Sequence, residues 1–135
     1  MREIKFRGKR LDNGEWIKGN SIVRVGDGFF ICDWTGVAIK KSEFYNLFTE
    51  VAPATVGQYT GLKDKNGREI YEGDIIGGSN GSINGWEWPF KSEIKWNDEE
   101  CGFNTSNWGY MDSTHYYNVL GNIHDNPELL KGGEQ

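Results

Sequence analysis

Apolar positions in this chain fall in short runs that alternate with polar residues, and glycine-containing turns separate most of the runs. That is the signature of β-strands, in which successive side chains point to opposite faces. Ile4 and Phe6 alternate with Lys5 and Arg7, which predicts a half-exposed strand over Glu3 to Gly8 with its basic face in solvent. Asp12-Asn13-Gly14 turns the chain, and Trp16 and Ile17 open a second strand running towards Val25. Gly26-Asp27-Gly28 turns it again, ahead of the continuous apolar run Phe29 to Cys32. An antiparallel meander is the simplest reading. Lys40 to Glu50 carries helical and strand signals together and reads as irregular, ending in a strand at Phe48 to Val51. Pro53 then marks a boundary, so residues 1–52 form an N-terminal antiparallel β unit and residues 53–135 a second region.

In the second region, Tyr59 to Leu62 and Glu69 to Tyr71 flank a polar tip ending in Asn66-Gly67, a dipeptide that favours the positive φ angles of tight hairpins. Ile75-Ile76 follows the Glu72-Gly73-Asp74 corner. The run Gly77 to Ser82 offers almost no side-chain surface and reads as a mobile loop. Strands resume at Ile94 to Trp96, return through Cys101 to Phe103 after a charged turn at Asn97 to Glu100, and end with Tyr116 to Ile123. Asn126 caps one helical turn, with Pro127 at its first position and Gly132-Gly133 as its stop.

The stretch Pro53 to Ile76 resembles the YopX family of small phage and prophage proteins. So do the opening Met1-Arg2-Glu3-Ile4-Lys5-Phe6-Arg7, the segment Val119-Leu120-Gly121-Asn122-Ile123 and the closing Asn126-Pro127-Glu128-Leu129-Leu130. The resemblance implies an SH3-like small barrel from about Pro53 onward, and a phage or prophage accessory protein without an assigned reaction. The expected class is therefore mainly β, an antiparallel N-terminal unit plus an SH3-like barrel with a short C-terminal helical turn.

Composition supports a folded β protein: 19 Gly against three Pro suit many turns, and six Trp, six Tyr and seven Phe bury large areas in a chain only 36% hydrophobic. There is no apolar leader and no run long enough to span a bilayer as a helix, so the expected location is the cytoplasm of a bacterial host. The net charge of −5 is unevenly placed. Residues 1–24 hold seven basic side chains against three carboxylates, whereas from Glu69 onward three lysines face twelve carboxylates. A basic head and an acidic body can orient association with a partner or a second copy.

The reactive residue types are sparse. Cys32 and Cys101 lie far apart without His at metal-ligand spacing, so they read as reduced thiols and no metal site is expected. Asp74, beside Gly73, suits a carboxylate that accepts backbone N–H bonds at the corner better than a general base, and Glu72 has no neighbouring nucleophile. Asp98, Glu99 and Glu100 read as a solvated turn, and His115 and His124 form no triad spacing. No Walker loop, dinucleotide fingerprint, zinc-finger or RNP pattern occurs, so no cofactor is expected.

Two sets of residues are binding candidates. Arg2, Lys5, Arg7, Lys9 and Arg10 form a basic strand able to meet phosphates or carboxylates, and Trp86, Trp88 and Phe90 are aromatics suited to stacking. Together these features point to a nonenzymatic module that binds a protein or assembles with itself. A nucleic-acid-binding module using the basic strand is the alternative, and an enzyme whose site assembles only in the fold is the third.

Overall fold

The structure, a computed structural model, describes residues 3–33, 47–83, 86–99, 101–105, 109–110 and 118–131. The chain divides into two compact units, Met1–Tyr59 and Thr60–Gln135, and the expected boundary at Pro53 falls at a 3-10 turn, Pro53–Thr55, shortly before that division.

In the N-terminal unit, β1 (Phe6–Lys9) and β2 (Trp16–Gly19) pair antiparallel, with Phe6 opposite Gly19 and Lys9 opposite Trp16. Gly14, at φ 73°, closes the intervening turn as its N–H donates to the Arg10 carbonyl (2.9 Å). The other side of β1 pairs with the start of β6 (Gly57–Lys63), Phe6 lying opposite Gln58. A second sheet contains β3 (Ser21–Val25), β4 (Gly28–Cys32) and β5 (Thr49–Val51) in that order. The expected single strand from Trp16 towards Val25 is thus two strands, broken at Asn20 so that the chain passes from one sheet to the other.

Directly opposed residues of an antiparallel pair share a face. Phe6, Gly8, Ile17 and Gly19 are therefore on one face of β1–β2, and the glycines let it approach the second sheet closely. A Cβ on Gly8 would lie 2.9 Å from Val51 Cβ, and one on Gly19 would lie 2.4 Å from the Cys32 carbonyl oxygen. Val51, Ile31 and Cys32 are buried there.

The C-terminal unit begins with the remainder of β6 and its neighbour β7 (Glu69–Tyr71). Gly67 sits at the expected tip with φ 84°. Its missing side chain would meet nothing within 4 Å, so Gly67→Val tests backbone conformation alone and should cost about 1 kcal/mol or more in a denaturant titration. Equal melting of the two proteins would refute the turn assignment.

Next come β8 (Asp74–Ile83) and β9 (Trp86–Asn97), then β10 (Gly102–Thr105), β11 (Gly109–Tyr110), β12 (Asn118–Asn122) and the helical turn α1 (Glu128–Lys131). Their sheet runs β11-β10-β9-β8-β12. The glycine run expected to be a mobile loop is instead strand. Gly77 pairs with Lys91 and Gly78 with Phe90, because β9 supplies a long partner whose backbone hydrogen bonds do not depend on β8 side chains. A register shift between Ser79 and Ser82 absorbs the irregularity.

Ile70, Ile76, Ile94 and Val119 form the core, with Phe103 packed against it. The mainly β class and the C-terminal helical turn match expectation, and the strands of the described residues close no barrel. Asn126 turns its side-chain oxygen back to the Asn122 N–H (3.3 Å), and its backbone carbonyl accepts the Leu129 N–H at the start of α1 (3.1 Å).

Candidate functional site

The basic strand folds into a cationic ladder around one indole. Register places Lys9 opposite Trp16 and Arg7 opposite Lys18, so these four side chains share the face opposite Gly8 and Gly19. The Arg7 guanidinium carbon lies 4.7 Å from the Trp16 ring centroid and Lys9 Nζ lies 5.5 Å from it, both within cation–π range. Two residues before Arg7, Lys5 extends the row, its carbonyl accepting the Tyr59 N–H at 2.8 Å.

The sequence pattern misplaces the inside of this strand. Arg7 is only 6% exposed, whereas Ile4 is 53% exposed, the reverse of the expected solvated basic face. An arginine buries its apolar stem readily, and here Trp16 covers its planar head.

Carboxylates interrupt the ladder at both ends. Lys5 Nζ is 3.2 Å from Glu3, and Arg10 makes a bidentate pair with Asp12 at 2.9 and 2.7 Å. The hydrogen bond and charge of Asp12 raise the Arg10 pKa, and the hydrogen bond from Arg10 lowers that of Asp12. Beyond Lys5, a cleft of about 350 Å³ opens among Glu3, Lys5, Lys18, Asn20 and Asp33. Arg2 lies outside the described residues. Trp86, Trp88 and Phe90 stand in β9, and their side chains fall outside the described residues.

The buried carboxylates hold backbone. Asp74 Oδ2 accepts the Tyr71 N–H at 2.7 Å, fixing the corner at Gly73 (φ 91°) as the sequence predicts. Asp64, which sequence reasoning passed over, does more. Its Oδ1 accepts the N–H groups of Asn66 and Arg68, both at 2.9 Å, and its Oδ2 accepts that of Val119 at 3.0 Å, tying the hairpin tip to β12. Burial pushes the Asp64 carboxyl up. The Val119, Arg68 and Asn66 hydrogen bonds, aided by the Arg68 charge, outweigh that and leave it below the usual carboxylate range.

The Cys32 thiol is not activated by its surroundings. Burial, then the Asp33 charge, raises the Cys32 pKa, which favours the unreactive thiol over the thiolate. Cys101 is free and exposed. His124 donates its backbone N–H to Asn122 Oδ1 at 3.0 Å, while His115 lies outside the described residues. Among the described residues, no group of three or more His, Cys, Asp or Glu side chains is arranged to hold a metal ion, and no helix is long and apolar enough to cross a membrane.

The backbone-holding Asp64, Gly67, Gly73, Asp74 and Asn122 all stand in the segments that carry the family resemblance. The family model described as YopX protein matches residues 5–131. The chain belongs to the YopX family. Among solved structures, this YopX-family chain is similar to protein EF1440 from Enterococcus faecalis. The two are 26% identical with a TM-score of 0.56, over 96% of this chain and 99% of that one. No curated protein matches.

Proposed function

We propose that this YopX-family chain is a nonenzymatic accessory module of a phage or prophage that works in the host cytoplasm by binding an acidic protein surface or a second copy of itself. The observation that carries this reading is the division of labour among its ionisable groups. Asp64 and Asp74 hold backbone and Cys32 is kept as the thiol, whereas the concentrated cationic chemistry at the surface is Lys5, Lys9 and Lys18, with the buried Arg7 beneath holding Trp16 in place. A cation–indole row suits recognition through carboxylates and packing, and aromatic and arginine side chains are the usual anchors of protein interfaces.

The same row gives the nucleic-acid reading its support, since cations beside an aromatic ring also suit single strands. Protein is favoured because Glu3 and Asp12 interrupt the row: the carboxylates of a protein come singly and can be spaced to avoid them, whereas a phosphate backbone is uniformly anionic. The acidic body of a second copy is itself a partner of the required sign.

Lys9→Glu should weaken capture of the protein partner, or self-association by light scattering, increasingly so at low salt, with a stability change below about 1 kcal/mol. The reading fails if nuclease strips all captured material, or if Lys9→Glu leaves both capture and self-association unaltered.

A further inference from the structure

We infer that Asn13, in the turn between β1 and β2, is a site of spontaneous deamidation, where the Gly14 peptide nitrogen and water convert the side-chain amide into a carboxylate, and that the fold withholds Asn66 from the same reaction.

Four Asn-Gly pairs stand in the sequence, and the side chains of two of these asparagines, Asn13 and Asn66, are described. A following glycine has no Cβ to shield its peptide nitrogen, so that nitrogen can reach the asparagine Cγ. In most respects the two sites are alike. Both asparagines are exposed, both glycines have positive φ (73° and 84°), and a Cβ on either glycine would meet nothing within 4 Å. Both glycine N–H groups also donate to a carbonyl, Gly14 to Arg10 at 2.9 Å and Gly67 to Asp64 at 3.0 Å.

The side-chain amides separate them. Asn66 Nδ2 donates to Asn118 Oδ1 at 2.8 Å, a tether to β12, and Asp64 Oδ1 holds the backbone N–H groups on either side of Gly67. Asn13 bonds only within its own turn. Its Nδ2 reaches Glu15 Oε2 at 3.4 Å, the far limit of a hydrogen bond, while its Oδ1 accepts the Glu15 N–H at 2.9 Å. That second bond spans the Gly14 peptide and supplies a donor to the oxygen on which negative charge develops when Cγ is attacked.

The Gly14 nitrogen gives up its proton and bonds to Asn13 Cγ. The Cγ–Nδ2 bond then breaks and ammonia leaves with a proton of that kind. Water opens the resulting five-membered imide at either carbonyl, giving aspartate or isoaspartate. The product adds one negative charge beside the Arg10–Asp12 pair, at the end of the cationic row.

The test is peptide mapping by mass spectrometry on the full chain, incubated folded at mildly alkaline pH. Asn13 should deamidate about fivefold or more faster than Asn66, the protection that one added hydrogen bond supplies. Asn118→Ser should raise the Asn66 rate towards that of Asn13 and leave Asn13 unchanged, and in concentrated urea the two rates of the parent should converge. Equal rates in the folded parent, or a faster Asn66, would overturn the assignment. So would a difference that persists undiminished in urea, since neighbouring residues and not the fold would then set it, or an Asn66 rate unaltered in an Asn118→Ser protein that melts like the parent.

Discussion

Asp64→Ala should lower the stability of the C-terminal unit by about 3 kcal/mol or more. The carboxylate is buried and serves three backbone N–H groups, and each buried donor left without an acceptor costs about 1–3 kcal/mol. Asp64→Asn should recover part of the loss. Its single oxygen can still serve Asn66 and Arg68, but the amide nitrogen would face the Val119 N–H donor to donor.

The pH dependence has a definite sign. The folded-state pKa lies below the unfolded value of about 3.9, so the stabilisation is complete above that value. It drains away as pH falls through the folded value, when the carboxylate must take up a proton. Urea titrations of parent and Asp64→Asn across this acid range should converge as pH falls. A constant gap between them would show that the charge contributes nothing.

Gly19→Ala should destabilise the N-terminal unit by about 2–3 kcal/mol. The new Cβ would stand 2.4 Å from the Cys32 carbonyl oxygen and 2.6 Å from its carbon, and backbone, unlike a flexible side-chain end, cannot swing aside. Gly14→Ala is the matched control: its φ of 73° is strained, yet nothing lies within 4 Å, so it should cost only about 1 kcal/mol. If the two variants melt together, the close approach of the two sheets is wrong.

These positions also show how far the sequence was legible. The hairpin at Asn66-Gly67 and the corner at Asp74 were readable because their chemistry is local: a positive φ within the turn, and a carboxylate three residues from the N–H it accepts. Asp64 was not, because its third bond reaches 55 residues along the chain to Val119, and in the sequence it looks like any solvated turn residue.

Glycine misled for a related reason. Gly77 and Gly78 carry no side chains from which alternation can be read, so β8 is announced by its partner strand β9. The residues between Ile83 and Trp86, Asn84 and Gly85, form the same turn-favouring dipeptide that correctly flagged the central hairpin, and that signal was available. Gly19 reads as a turn residue, though its role is to give way to another sheet's backbone.

The candidate site was half legible. Lys5, Arg7 and Lys9 could be found by charge, but Trp16 and Lys18 join them only through the β1–β2 register, and the burial of Arg7 follows from that indole. The cleft draws Asp33 from the end of β4, a contact no local window contains.

The central claim is that the cationic row meets protein carboxylates and not phosphates. A gel shift with short single-stranded and duplex DNA and RNA at physiological salt, using parent and Lys9→Glu protein, tests it most directly. No shift is expected for either protein on any of these probes. A parent that shifts one of them, with the shift lost in Lys9→Glu, would contradict the claim and make the row a nucleic-acid site.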